Sequence, residues 1–115
     1  VEVNEIVGDV AGRDCLLVDD MIDTGGTILA AAKALKAKGA ARVIVAATHA
    51  VFSPPAIERL SDEAIDSVVV TNTLPVTPDK EFKTLTVLSI APLIAKAIAA
   101  VFYDDSVNSL FPGHS

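Results

Sequence analysis

A chain of 115 residues with a formal charge of −6 carries only nine Lys and Arg, spread along its length, which excludes nucleic acid as the main partner because backbone binding needs clustered cations. Hydrophobic residues make up 51% of the chain, yet no apolar run approaches the ~20 residues of a membrane span and the start is not signal-like, so no membrane association is expected. The length predicts a single domain over 1–115, and the single Cys15 permits no intramolecular disulfide, in keeping with a reducing, cytoplasmic compartment.

Residues 1–12 are expected on the surface. Leu16, Leu17 and Val18 form an apolar run predicted as a buried strand, with Cys15 an inert buried thiol inside the same pattern. Asp19 and Asp20 follow at the carboxyl end of that strand, where open α/β sheets place their ligands. Asp23-Thr24-Gly25-Gly26-Thr27 then supplies unpaired backbone N–H groups, two hydroxyl donors and glycines that allow close approach. An Asp-Thr-Gly-Gly alone could serve as a simple N-cap and turn. Two neighbouring carboxylates, however, repel each other unless a ligand, a cation or a helix terminus compensates them. Strand, acidic pair and loop in this order read as a sugar-phosphate site, the carboxylates accepting from sugar hydroxyls and the loop donating to phosphate.

A helix is predicted over Ile28 to Lys38, with Ile28, Ala32 and Leu35 on one face and Gly39 as its stop. Its N-terminus would direct partial positive charge at an anion held by the loop. Val43 to Ala47 is a second apolar strand, followed after Pro54 and Pro55 by a short helix around Ala56 to Leu60, and Ser67 to Thr71 is the third strand. Thr84 to Ile90 is a fourth, mixed in polarity and therefore placed nearer an edge. Pro92 opens the last helix, which runs to about Tyr103. Strands separated by helices imply parallel crossovers and an α/β layered fold.

Other polar residues point less directly to chemistry. His49 follows a strand and is read as a hydrogen-bonded structural histidine, and His114 as a solvated one. With no Cys/His cluster, neither a zinc site nor a Ser-His-Asp triad is expected. Thr48, Ser53, Thr71, Asn72 and Thr73 lie just beyond strand ends, where they either cap turns or meet a ligand. Asp104 and Asp105 read as a solvated acidic turn.

The stretch Asp19-Asp20-Met21-Ile22-Asp23-Thr24-Gly25-Gly26-Thr27 resembles the phosphoribosyl-pyrophosphate motif of type I phosphoribosyltransferases and ribose-phosphate pyrophosphokinases. Asn4 to Val10, Thr48 to Ser53, Val70 to Thr73 and Ser106 to Phe111 narrow the resemblance to the pyrophosphokinases, over essentially the whole chain. The resemblance implies a type I phosphoribosyltransferase-like fold, a central parallel sheet flanked by helices, matching the carboxyl-terminal half of a two-domain enzyme. The amino-terminal half, with the ATP-binding segments, the histidine and metal ligands of the pyrophosphate side and the loop bearing catalytic Lys and Arg, is expected to lie before Val1. The start at Val1 instead of Met is read as that of a proteolytic or engineered fragment.

The implied reaction joins ATP and ribose 5-phosphate to give AMP and phosphoribosyl pyrophosphate, with Mg2+ as cofactor and a homo-oligomer, hexameric in the family, as the assembly. By that resemblance Asp19 and Asp20 hold the ribose 2- and 3-hydroxyls, directly or through magnesium. Thr24, Gly25, Gly26 and Thr27 cradle the 5-phosphate, and Asp23 fixes the loop. No catalytic residue is expected in this chain, which alone should not turn over, and no dedicated protein metal ligand is named. Ser106 and Asn108 match a regulatory phosphate site of the family, with an amide at 108 in place of a hydroxyl. At Ser53-Pro54-Pro55 the family commonly has Ser-Gly-Pro, so no backbone N–H is available from Pro54. The alternatives are a non-catalytic regulatory homologue and a type I phosphoribosyltransferase, the latter disfavoured by the tail from Ser106.

Overall fold

Four short apolar runs, each followed by a helical or turn segment, pair side by side in a computed structural model that describes residues 9–103. Strand β1 (Asp14–Ile22) leads through helix α1 (Gly26–Ala37) to β2 (Arg42–Ala50), and helix α2 (Ala56–Leu60) leads on to β3 (Ser67–Thr71). A 3-10 turn over Pro78–Lys80 precedes β4 (Leu85–Leu88), and helix α3 (Ala91–Phe102) closes the described segment. All neighbouring strands are parallel, in the order β1-β2-β3-β4. The α/β class and the parallel sheet therefore agree with the sequence, as do the bounds of α2 and β3.

The strand order has a packing consequence. Parallel crossovers take one hand, so a sheet that always advances in the same direction receives its crossover helices on one face. Helices α1 and α2 cover that face, where Val43, Val45, Val68 and Val70 join Ile22, Ile28, Ala32, Phe52, Ala56 and Leu60 in one core. Side chains alternate along a strand, so the intervening residues point the other way. Leu16 is 60% and Val18 73% exposed, and Leu88, on the opposite edge strand, is exposed as well. This corrects the expectation of a fully buried first strand: only Leu17 of the three is packed against the core, and Cys15 is half-buried. Helix α3 makes no extended contact with the other described elements and exposes Ile94, Ile98, Val101 and Phe102.

Strand β2 extends past the expected Ala47 because β1 continues beside it, pairing Met21 with His49 and Ile22 with Ala50. Helix α1 stops at Gly39, whose φ of +93° suits glycine and whose N–H donates to the Lys36 carbonyl. The Asp66 carboxylate binds both Lys36 Nζ (2.9 Å) and the Val43 N–H (2.7 Å), tying α1 to the starts of β2 and β3. Those two contacts, the lysine first, hold the Asp66 carboxyl below its ordinary value of 3.8. Arg42 and Asp14, register partners on β2 and β1, form a bidentate pair at 3.1 and 2.5 Å that lowers the Asp14 carboxyl in the same way. Among the described residues no helix is long and apolar enough to cross a membrane.

Candidate functional site

At the carboxyl end of β1 the chain leaves the sheet at Ile22, passes through Asp23 and Thr24, and enters α1 through Gly25. Gly25 adopts φ +78°, a left-handed conformation that a side chain disfavours. It is also buried, and a Cβ there would lie 3.7 Å from Leu60 Cγ and 3.8 Å from Ala56 Cα of α2. A glycine at 25 thus lets the loop turn tightly while resting on the short helix below.

The turn leaves donors unspent. Every α-helix begins with N–H groups that have no intrahelical acceptor. Here no side chain caps α1. Its first bond to the turn is Leu29 N–H to the Gly25 carbonyl, and among the described residues the N–H groups of 24–28 donate to no protein acceptor. The hydroxyls of Thr24 and Thr27 are exposed beside them. Together with the positive end of the α1 dipole, they form an array suited to an anion.

The carboxylates complete the opposite wall. A cavity of about 330 Å3 is lined by Asp19, Asp20, Met21, Asp23, Thr24, Gly25, Thr27 and Ile28. The structure therefore brings together every residue of the 19–27 motif except Ile22, which is buried in the core, and Gly26. Asp19, Asp20 and Asp23 are all exposed, so nothing described covers the cup. The neighbouring Asp20, through its side chain and through its N–H, which donates to Asp19 Oδ1 at 2.8 Å, lowers the Asp19 carboxyl below 3.8. Asp19 is accordingly an acceptor through the whole neutral range. Neither Asp19 nor Asp20 has an ion-pair partner among the described residues.

The acidic pair offers the ligands a magnesium ion takes, one or two carboxylates with further positions filled by substrate and water. Among the described residues no three His, Cys, Asp or Glu side chains converge as a dedicated cage. The donor set thus fits a metal completed by a bound substrate. Asp19 also borders a second, apolar cleft on the open face of the sheet, beside Val18, Ala46, Val69 and Leu88.

Beyond the cup, the polar residues at strand ends serve the scaffold. Thr71 and Thr73 both donate hydroxyls to the Thr48 carbonyl, at 2.6 and 3.3 Å, and Thr73 Oγ1 lies 2.7 Å from His49 Nδ1. Asn72 Oδ1 accepts the Ile90 N–H at the start of α3. His49 is hydrogen-bonded as expected, and exposed. The Ser53 carbonyl accepts the Ala56 N–H and begins α2. Val51 and Phe52 both donate N–H to the Ile22 carbonyl, with Phe52 at φ +52°, so the turn after β2 is strapped to the base of the acidic loop. His114, Asp104, Asp105, the tail residues Ser106 and Asn108, and Asn4 to Gly8 of the upstream stretch lie outside the described residues.

One residue at the loop carries no signal in sequence spacing. Arg59 of α2 reaches across and donates Nη1–H to the Thr24 carbonyl at 3.1 Å, 35 positions away along the chain. Only the docking of α2 under the loop brings it there.

The model of the phosphoribosyl synthetase-associated domain matches residues 3–112. The chain is 55% identical over 112 residues to the ribose-phosphate pyrophosphokinase of Mycobacterium leprae, covering 97% of this chain and 34% of that protein. It is 60% identical over 111 residues to the ribose-phosphate pyrophosphokinase of Streptomyces coelicolor, covering 96% and 34%. The crystal structure of phosphoribosylpyrophosphate synthetase from Mycobacterium smegmatis superposes with a TM-score of 0.81 at 59% identity, over 85% of this chain and 33% of that one. The chain spans about a third of the length of the curated relatives it matches.

Proposed function

The chain belongs to the phosphoribosyl synthetase-associated domain family, and on that premise we propose that it is the ribose 5-phosphate-binding part of a ribose-phosphate pyrophosphokinase. The observation that carries this reading is the open cup at the end of β1, with carboxylates on one wall and unspent amides and hydroxyls on the other. A pentose monophosphate has the matching polarity. Its ring hydroxyls donate to Asp19 and Asp20, and its 5-phosphate accepts from the N–H groups of 24–28 and the hydroxyls of Thr24 and Thr27. Asp23 holds the loop and accepts from a donor-side hydroxyl.

In the reaction of the whole enzyme the sugar's anomeric hydroxyl attacks the β-phosphorus of ATP, releasing AMP and forming phosphoribosyl pyrophosphate. This chain contributes orientation: a sugar gripped at both ends presents its anomeric oxygen in one direction, which converts part of the activation barrier into prepaid entropy. Magnesium, when bound through Asp19 and Asp20, supplies neutralisation of the charge that develops on the transferred group. Among the described residues no Lys or Arg lines the cup, so the cations that complete charge stabilisation and the ATP contacts come from the rest of the enzyme, a cytoplasmic homo-oligomer. Ser106 and Asn108 are assigned to a regulatory phosphate site of that assembly.

Calorimetry on the chain tests the division of roles. Ribose 5-phosphate binds weakly, and Asp19→Asn lowers its affinity by about tenfold through loss of a charged acceptor while leaving inorganic phosphate unchanged. Equal losses for both ligands, or no binding of ribose 5-phosphate at saturating concentration, overturn the reading. AMP formation by the chain alone would contradict the assignment of ATP chemistry elsewhere.

A further inference from the structure

We propose that Arg59 is a positioning residue that aims and polarises the loop amides toward the anion, an inference that rests on the cup's being a phosphate site. Three features of the loop and α2 converge on it. Arg59 Nη1 donates to the Thr24 carbonyl at 3.1 Å. The same guanidinium occupies the space beside Gly26, where a Cβ would lie 3.1 Å from Nη1, so glycine at 26 admits the arginine. Arg59 itself is held by α2, whose Ala56 and Leu60 are fully buried in the core, so the cation stands on a fixed base.

The chemistry follows from the peptide unit. The Thr24 carbonyl and the Gly25 N–H belong to one planar trans amide and point in opposite directions. A carbonyl drawn toward the guanidinium on the α2 side turns the Gly25 N–H away from α2. A charged donor on the oxygen also withdraws electron density from the same amide, which strengthens its N–H as a donor. Arg59 does not line the cup, so it acts through the peptide without touching substrate. It is also the single Lys or Arg, among the described residues, that hydrogen-bonds any residue of 23–27, in a loop whose neighbourhood otherwise carries three carboxylates.

The test titrates inorganic phosphate, ribose 5-phosphate and unphosphorylated ribose into the wild-type chain and into Arg59→Ala, Arg59→Gln and Arg59→Lys, following the Gly25 and Gly26 amide resonances by NMR. Arg59→Ala is expected to weaken both phosphorylated ligands by about tenfold, the scale of one charge-assisted hydrogen bond, and to leave ribose unchanged. The Gly25 amide proton should move upfield even without ligand, a readout that loss of general stability does not produce. Arg59→Lys, which keeps the charge without the planar fork, should restore most of the phosphate affinity, and Arg59→Gln less. Should Arg59→Ala fail to fold, the Lys against Gln comparison decides, and equal phosphate affinities for those two overturn the proposal. Wild-type binding of phosphate with Arg59→Ala within twofold of it overturns the role of Arg59 alone, whereas a wild type that binds neither phosphorylated ligand overturns the phosphate site and this inference together.

Discussion

The two faces of the sheet carry the same kinds of side chain and meet different surroundings. On one, Val43, Val45, Val68 and Val70 are sealed under α1 and α2. On the other, Leu16, Val18 and Leu88 stand in solvent beside half-buried Ile44, Ala46 and Val69. Hydrophobicity of the strand residues is therefore a poor guide to which face stabilises the described chain. The connections decide it, because each crossover delivers its helix to the same side. The cup sits at the boundary: Gly25 rests on α2 beneath the covered face, while Asp19 borders the open one.

The contrast breaks most sharply at α2. Leu60→Ala removes a fully buried side chain from the covered face and should cost about 2–5 kcal/mol in urea unfolding, because the cavity under the loop cannot collapse completely. Since Leu60 supports Gly25, the same variant should also weaken phosphate binding, and a loss of stability with unchanged phosphate affinity would separate the loop from the core. Gly25→Ala comes next. Its φ of +78° puts an L-residue in the left-handed region, at about 1–2 kcal/mol by the same measurement.

Asp66→Asn probes the electrostatic tie on the covered side and should cost about 1 kcal/mol at neutral pH, through loss of charge at two hydrogen bonds. The sign of its pH dependence is set by the lowered carboxyl of Asp66. A folded-state value below 3.8 means that the stabilisation is complete above 3.8 and disappears as pH falls through the lower folded value. The wild type should thus lose its advantage over Asp66→Asn on acidification below about 4, and a constant difference down to pH 2 would contradict the pairing. The smallest effect is expected on the open face. Val18→Thr keeps the branched shape at a position 73% exposed and should change stability by no more than about 0.5 kcal/mol. A larger destabilisation would show that the open face is covered in solution.

Local chemistry in the sequence reached far into this fold. The helix stop at Gly39, the short helix Ala56–Leu60, the strand Ser67–Thr71 and the proline at the start of α3 are each set by neighbours within a few residues, and each stands where residue patterns indicated. The motif from Asp19 to Thr27 was legible for the same reason, since strand, acids and glycine turn are contiguous. Patterns failed where a distant partner intervenes. Thr48 and His49 look like the end of a strand, yet β2 continues through them because β1 runs alongside. Phe52 offers no hint of its positive φ, which arises where its N–H and that of Val51 converge on the Ile22 carbonyl.

The sequence by itself determined the alternation of strand and helix, the parallel sheet this implies and the acidic, glycine-bearing turn, because these depend on side-chain period and on chain bends spanning a few residues. Tertiary structure alone decided which face of each strand is buried and which cation stands behind the loop. Those outcomes depend on the side to which each crossover swings, and on a contact such as Arg59 to Thr24 that closes only after the intervening strand and helices have packed.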